Sequence, residues 1–287
     1  MTDLSILIPA RNEVFLQKTV SDLLTKAEGN IEVIVILDGY WPTPQLIDDD
    51  RLKIIHRGKS MGMRAAINAG AAIAKGKFLM KTDAHCMFAK GYDTVLATNC
   101  EDNWVVVPRR YALNPEKWER IDNPKYPIDY MYLSNDLHGV VWTEKNKDPI
   151  LAKKLIDETM SNQGSVWFMT KEYFSDLELM DESAYGIFWN EFQEIGLKCW
   201  LSVGRVMVNK KTWYAHWHKT SDYGRGYSLG SSEQPKALAT VAKWKTKGWH
   251  KQTLPLTWLI ERFWPVPGWT PELVENLKKK SDIMQAK

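Results

Sequence analysis

Ile31-Glu-Val-Ile-Val-Ile-Leu37, closing on Asp38-Gly39, is the stretch that decides the architecture. It is a near-continuous apolar run, too short for a globular helix, and reads as a strand buried on both faces. Before it, Leu4-Ser-Ile-Leu-Ile-Pro9 is a second such run, ended by Pro9. Between the two, Glu13–Glu28 places Val14, Leu16, Val20, Leu23 and Leu24 at roughly helical spacing, until Gly29-Asn30 stops it. After it come a short strand at Leu52–Arg57, an Ala-rich helix over Met61–Ala74, and Lys77-Phe-Leu-Met-Lys-Thr82, a fourth strand ending at Asp83. Alternating helices and apolar strands imply an α/β fold with a mostly parallel sheet covered on both faces. Ligands of such sheets bind beyond the carboxyl ends of the strands. Those ends carry Pro9-Ala10-Arg11-Asn12, Asp38, Arg57 and Asp83-Ala84-His85.

The pattern weakens after a strand at Trp104–Val107. Five prolines between residues 108 and 160 suggest an irregular insertion. A strand is expected over Gly164–Met169, then a helix over Tyr185–Cys199 leading to a strand at Val203–Val208. Thr220–Gln234 is polar and Gly/Ser-rich and reads as a mobile loop. A helical stretch to Lys247, a Trp/Pro-rich segment to Pro271 and a charged helix end the chain. The expected organisation is one domain over 1–220, with a nucleotide-binding half at 1–110 and an acceptor half at 160–220, and a C-terminal appendage at 221–287.

At 287 residues, 44% hydrophobic and 25% charged, the chain is long and apolar enough for a real core, which excludes a wholly disordered protein. It has no run of about 18 apolar residues and no secretory leader, so no transmembrane anchor is expected. Cys86, Cys100 and Cys199 make neither a disulfide framework nor a C-x-x-C pair; the expected compartment is a reducing cytoplasm, that of the host should the source be viral. Two features stand out. Fourteen residues are Trp, most of them in the second half, and the net charge of +3 divides unevenly. Arg205 to Lys251 holds ten Lys or Arg against two Asp or Glu, +8, leaving −5 elsewhere. A segment that basic can meet a nucleotide diphosphate, a nucleic acid or an acidic glycan, or be a solvated lysine face.

Asp83-Ala84-His85 is the sharpest motif. Residues i and i+2 on extended backbone point the same way, so a carboxylate and an imidazole face one cation. One oxygen and one nitrogen ligand suit Mn²⁺ better than Mg²⁺, which is the second choice. A third ligand is offered by Tyr214-Ala-His216-Trp-His218, with His216 first and His218 the competitor on the same extended face.

The run His56-Arg-Gly-Lys-Ser-Met-Gly62-Met-Arg64 through Gly76, continued by Asp83-Ala-His85-Cys86 and Gly91-Tyr92, resembles the nucleotide-sugar half of the GT-A glycosyltransferases. Within that family-two-like superfamily the closest likeness is to the polypeptide N-acetylgalactosaminyltransferases, whose metal motif is D-x-H. Trp189-Asn190-Glu191-Phe192-Gln193-Glu194, then Trp200 and His216, keeps that family's order of Glu, Trp and His, but lacks its two glycines and the Asn after the Glu. The resemblance covers roughly residues 3–110 and 160–220.

The resemblance implies a UDP-sugar donor and a metal site of Asp83, His85 and His216. It implies that Pro9, Ala10 and Arg11 border the base and that Asp38 accepts from the uracil N–H. Gly62 would admit the backbone to the nucleotide, Arg64 would offset the diphosphate charge, and Asp83 would serve donor and metal together. Glu191 matches the family's acidic position and would orient the acceptor hydroxyl or act as base; Asp181, Glu182 and Glu194 are rivals. They are rivals because Phe192 stands where family-two relatives keep the Asp of an E-D pair; the likeness to the retaining enzymes leans the reading toward retention, the leaving phosphate taking the proton. Arg225, between Gly224 and Gly226, would close with Lys219 over the diphosphate.

The acceptor is read from Lys243-Trp244-Lys245 and Trp249, with Trp189 beside Glu191. Cations interleaved with indoles suit phosphates and exposed bases, and indoles also serve as sugar platforms. A hydroxymethylated base in phage-type DNA, extruded from the stack, is one acceptor; a glycan hydroxyl and a polypeptide Ser/Thr are the others. The contrasting reading is a non-catalytic nucleotide- or DNA-binding module on a degenerate GT-A scaffold.

Overall fold

The computed structural model describes residues 2–122, 127–219, 227 and 233–285. Its strands are β1 (Leu4–Ala10), β2 (Ile31–Asp38), β3 (Leu52–Arg57), β4 (Phe78–Thr82), β5 (Cys86–Phe88), β6 (Trp104–Asn114), β7 (Glu119–Ile121), β8 (Met131–Leu133), β9 (Gly139–Val141), β10 (Ile156–Glu158), β11 (Val166–Thr170) and β12 (Arg205–His216). Its helices are α1 (Leu16–Lys26), α2 (Met63–Ile73), α3 (Tyr92–Thr98), α4 (Thr143–Lys147), α5 (Pro149–Lys153), α6 (Lys171–Asp176), α7 (Glu182–Tyr185), α8 (Glu191–Leu201), α9 (Gln234–Lys243), α10 (Leu256–Arg262) and α11 (Pro271–Gln285).

One curled sheet runs in the order β10-β12-β6-β11-β4-β1-β2-β3, with β5 on β12 and β7 on β6. β4, β1, β2 and β3 are parallel, as the alternation implies. β11 then runs antiparallel between β4 and β6, and β6 and β12 are parallel again. Every residue of β2 is buried, because α1 packs Leu16, Val20 and Leu23 on the sheet and Ala-rich α2 also covers it. Gly70 permits the close approach of α2: a Cβ there would lie 2.9 Å from Ile36 Cδ1 and 3.0 Å from Leu7 Cδ2.

The structure departs from sequence expectation in places with clear causes. Pro9 lies inside β1 rather than after it. Its pairing with Ile36 persists on the β2 side, while the β4 ladder has already ended at Leu7, so its missing N–H costs no rung there. The helix expected over Tyr185–Cys199 is broken, with Gly186 at φ 71° and Asn190 at φ 58°, and α8 starts afresh at Glu191. Val203 sits in an exposed turn at φ 71°, and β12 begins at Arg205 and runs on to His216. The irregular insertion holds the far end of β6, β7 and the β8–β9 hairpin.

The tryptophan excess is largely structural. Trp200, Trp244 and Trp269 are buried in the same apolar cluster as β1 and β2, together with Phe263, Val266 and Leu277. Trp244 Nε1 donates to Tyr185 Oη at 2.9 Å, and Trp269 Nε1 to the Leu133 carbonyl at 2.9 Å. Large indoles thus fill the seam where the C-terminal segment meets the sheet body; Trp244 and Trp269 have their one polar atom satisfied, while the buried Trp200 Nε1 finds no partner among the described residues. No helix among the described residues is long and apolar enough to cross a membrane.

Candidate active site

The carboxyl ends of β1, β2 and β4 open into a cleft of about 680 Å³, closed on the far side by the end of β12 and the start of α8. Pro9, Ala10, Arg11, Asp38 and Gly62 line one end, Asp83, His85 and His216 the middle, and Trp189 and Glu191 the flank. Most of the residues singled out in the sequence therefore come together. Arg64, Lys243, Trp244, Lys245 and Trp249 do not line it, and Arg225 lies outside the described residues.

The middle of the cleft is a three-residue constellation. Asp83 Oδ2 lies 3.2 Å from His216 Nε2 and 3.8 Å from His85 Nε2. Among the described residues this is the group whose N and O atoms, all within 4.8 Å of one another, could hold a metal ion. Burial pushes the His216 imidazole down to about 3, against the pull of Asp83, so its lone pair is free at neutral pH. Its Nδ1 is buried and finds no hydrogen-bond partner among the described residues. His218 is exposed, its ring edge-on to His216 with centroids 4.6 Å apart, and stands outside the triad. Burial of β12 up to His216 is what separates the two.

Two residues that sequence reading missed organise this centre. Lys81, 1% exposed, donates from Nζ to Asp83 Oδ1 at 2.6 Å, to the Gly164 carbonyl at 2.6 Å and to Glu191 Oε2 at 3.2 Å. Burial alone would lower its ammonium; Asp83 and Glu191 more than reverse this and hold it charged. Burial raises the Asp83 carboxyl, but Lys81, His216 and His85 carry it far below the carboxylate range. Lys81 thereby occupies one oxygen of Asp83 and leaves Oδ2 toward the imidazoles. A lysine inside the apolar run Phe78–Thr82 was the available signal, since an unpaired one would not be buried there. Glu13 is the second: its Oε2 lies 3.1 Å from His85 Nδ1, and its Oε1 accepts from Lys219 Nζ at 2.5 Å. A carboxylate on the outer nitrogen fixes the tautomer that turns Nε2 inward. Glu13→Ala is therefore expected to weaken Mn²⁺ binding about 10- to 100-fold, measured by metal titration of the folded protein.

Of the four candidate acids, Glu191 is the one that lines the cleft. Its Oε1 accepts from Trp167 Nε1 at 2.8 Å, and burial raises its carboxyl against the pull of Lys81. The rivals have other places: Asp181 caps α7, Glu182 is exposed, and Glu194 is buried in an ion pair with Arg64 and in another with Lys198.

Three residues given donor-side roles by the resemblance have partners of their own in the structure. Arg64 is fully buried; besides Glu194, its guanidinium meets the Trp189 carbonyl at 2.8 Å, so it is not free for a diphosphate. It faces inward because α2 turns that side toward α8. Asp38 borders the cleft, but its four acceptor positions are met by Arg57, Ser60 Oγ and the Met61 and Gly62 amides, so a uracil N–H would have to displace one. Gly62, at φ 95°, lines the cleft and also makes room for Ile187: a Cβ there would lie 2.5 Å from that side chain. In the basic segment, Trp244 is core, Trp249 Nε1 donates to Glu178 at 3.0 Å, and Arg205, Lys219 and Lys251 have carboxylate partners. Lys243 is exposed, Lys245 and Trp249 are half-buried, and the Lys251 ammonium lies 5.6 Å from the Trp249 ring; of the two indoles only Trp244 packs into the core.

The family model for glycosyl transferase family 2 matches residues 5–177, more than half of the chain. The chain belongs to glycosyl transferase family 2. No curated protein sequence matches it. Among solved structures, GalNAc-T7 with UDP, GalNAc and Mn²⁺ is similar with a TM-score of 0.68 at 17% identity, over 98% of this chain and 55% of that one. The family-2 chain thus spans about half the length of that neighbour. S. aureus TarS 1–349 in complex with UDP-GlcNAc is similar with a TM-score of 0.55 at 15% identity, over 91% of this chain and 71% of that one. Such likeness gives the fold, which is GT-A. In the family-2 chain the cleft sits where that sheet presents its ligands, beyond the carboxyl ends of β1, β2 and β4.

Proposed function

We propose that this glycosyltransferase moves a sugar from a UDP-sugar to an acceptor hydroxyl with retention of configuration. It depends on a divalent cation, Mn²⁺ before Mg²⁺, held by Asp83, His85 and His216. The observation carrying this reading is the convergence of two imidazoles and one carboxylate within 4.8 Å in the cleft. The donor set fits: two nitrogens and an oxygen, a neutral His216 with an orphaned Nδ1, and a His85 aimed by Glu13. When bound, the cation neutralises charge on the departing diphosphate. UDP and Mn²⁺ in the GalNAc-T7 structure and UDP-GlcNAc in that of TarS support the choice of donor and ion.

Pro9, Ala10 and Arg11 border the nucleoside, and Lys81 holds Asp83 and Glu191 in fixed relation. The bond from the anomeric carbon to the diphosphate oxygen breaks and one to the acceptor oxygen forms. The four carboxylates that line the cleft among the described residues are all engaged: Glu13 with His85 and Lys219, Asp38 with its loop, Asp83 with Lys81, and Glu191 with Lys81 and Trp167. With no carboxylate free of a partner among the described residues that line the cleft, the acceptor proton passes to the departing phosphate oxygen, which favours retention. Glu191 then acts by position.

The proposed acceptor is a hydroxymethylated base in DNA. Lys236, Lys243 and Lys247, exposed and without an ion-pair partner among the described residues, support a polyanion. A glycan hydroxyl or a protein Ser/Thr is what an acceptor screen returns if this choice is wrong. The test measures UDP release from UDP-GlcNAc and UDP-GalNAc with Mn²⁺, with and without each acceptor class. Release that needs Mn²⁺ and is abolished by a chelator is expected, with an α-linked product from the α-linked donor. Failure of the wild type to bind or release UDP would return the chain to a non-catalytic binding module.

A further inference from the structure

Among the described residues two arginines are buried, Arg64 and Arg110, and they are treated differently. Arg64 is paired with the Glu194 carboxylate. Arg110, 3% exposed, has no carboxylate partner among the described residues, although it lines the cleft. Its Nη1 donates to the Gln163 amide oxygen and its Nη2 to the Met131 sulfur at 3.8 Å, while its Nε is buried without a partner. Its neighbour Arg109, facing the other side of β6, makes a two-pronged contact with Asp129 at 2.9 and 2.7 Å. The strand therefore supplies a carboxylate to one arginine and withholds it from the other.

A buried guanidinium among neutral groups is costly, and the cost is recovered when an anion enters. Around Arg110 the cleft wall is apolar at Ile128, Met131 and Val141 and polar at Asn162 and Gln163. Water is partly excluded there, which strengthens a charge-assisted pair, and the fork of Arg suits two oxygens of one phosphate. Arg110 is bridged to Ile128 of the insertion by backbone, and β11 and β4 separate its strand β6 from β1 and β2, whose ends carry Arg11 and Asp38. It thus lies away from the nucleoside end of the cleft.

We infer that Arg110, with Gln163 beside it, forms an oxyanion subsite that receives a phosphodiester group of the acceptor and fixes it next to the reacting hydroxyl. This rests on the transferase reading for the word acceptor, not for the anion site itself.

The experiment uses the full chain and dimethyl phosphate as the probe, titrated by intrinsic tryptophan fluorescence after saturation with UDP and Mn²⁺. Trimethyl phosphate and acetate serve as neutral and carboxylate arms. Dimethyl phosphate is expected to bind the wild type, at least tenfold more weakly to Arg110→Gln, and with intermediate affinity to Arg110→Lys; trimethyl phosphate is expected not to bind. UDP binding is expected to change less than twofold in both variants. Unchanged dimethyl phosphate binding in a folded Arg110→Gln protein overturns the subsite. A matching loss of UDP affinity assigns Arg110 to the donor diphosphate and overturns it equally. Acetate binding as tightly as dimethyl phosphate overturns the choice of phosphodiester. Should Arg110→Gln fail to fold, Arg110→Lys decides, since a purely structural arginine would leave the probe affinity unmoved. Wild type that takes dimethyl phosphate but never UDP leaves the subsite standing and removes the transferase reading.

Discussion

Lys81→Met is expected to lower the stability of the protein by about 3–5 kcal/mol and to abolish Mn²⁺-dependent UDP binding. The magnitude is that of removing one partner from a buried ionic cluster, where the remaining charges lose their compensation. Lys81 is fully buried and holds two carboxylates at 2.6 and 3.2 Å. Without it Asp83 and Glu191 repel one another across an apolar strand end, and Asp83 loses the contact that keeps Oδ1 away from the imidazoles. Methionine matches the lysine stem in length, so the loss reports charge rather than packing. Chemical denaturation and metal titration check it together. A double variant with Glu191→Gln should recover part of the stability, because the two sites share one network and cannot be additive. Strict additivity would mean that the three side chains do not act as a unit.

His216→Ala is expected to weaken Mn²⁺-dependent UDP binding by about 100-fold or more, at or beyond the upper end of what loss of a residue behind a metal ligand costs. His218→Ala is expected to change it less than twofold. The pair is informative because the two imidazoles are two residues apart on one extended segment and differ in burial. His216 lies 3.2 Å from Asp83 Oδ2, whereas His218 is exposed. Isothermal titration of UDP at fixed Mn²⁺ measures both, and a thermal melt separates a lost ligand from a lost fold. If His218→Ala were the damaging change, the metal centre would lie further along the chain, and the role of β12 in presenting it would be wrong.

The parallel half of the sheet was legible in the residues because its strands are short apolar runs and its helices carry a regular apolar face. Leu4–Pro9, Ile31–Leu37 and Lys77–Thr82 needed no partner to be identified. Asp83 and His85 were legible as a pair because two-residue spacing on extended backbone has one geometric meaning. His216 was legible only as one of two, and Glu191 as one of four acids, because adjacency in sequence says nothing about which side chain the fold turns inward.

Arg64 shows the opposite failure. The resemblance gives Arg64 a diphosphate contact, yet Glu194, 130 residues later, pairs with it. The tryptophans failed similarly, since composition records their number and not their direction. Trp244 interleaved with lysines suggests a binding platform, and the packing of α9 on α7 puts its indole under Tyr185 instead.

Local chemistry and periodicity, then, determined the α/β layers, the strand ends that carry the site, and the Asp-x-His pair, because each depends on residues within a few positions. Tertiary structure decided which carboxylate and which histidine join that pair, and which buried cations are already matched. Lys81 is shared between two acids, Arg64 is paired, and Arg110 faces the cleft without a carboxylate partner among the described residues. Those assignments are electrostatic and cross-chain, and charge compensation in a low-dielectric interior depends on groups that only folding brings within about 4 Å.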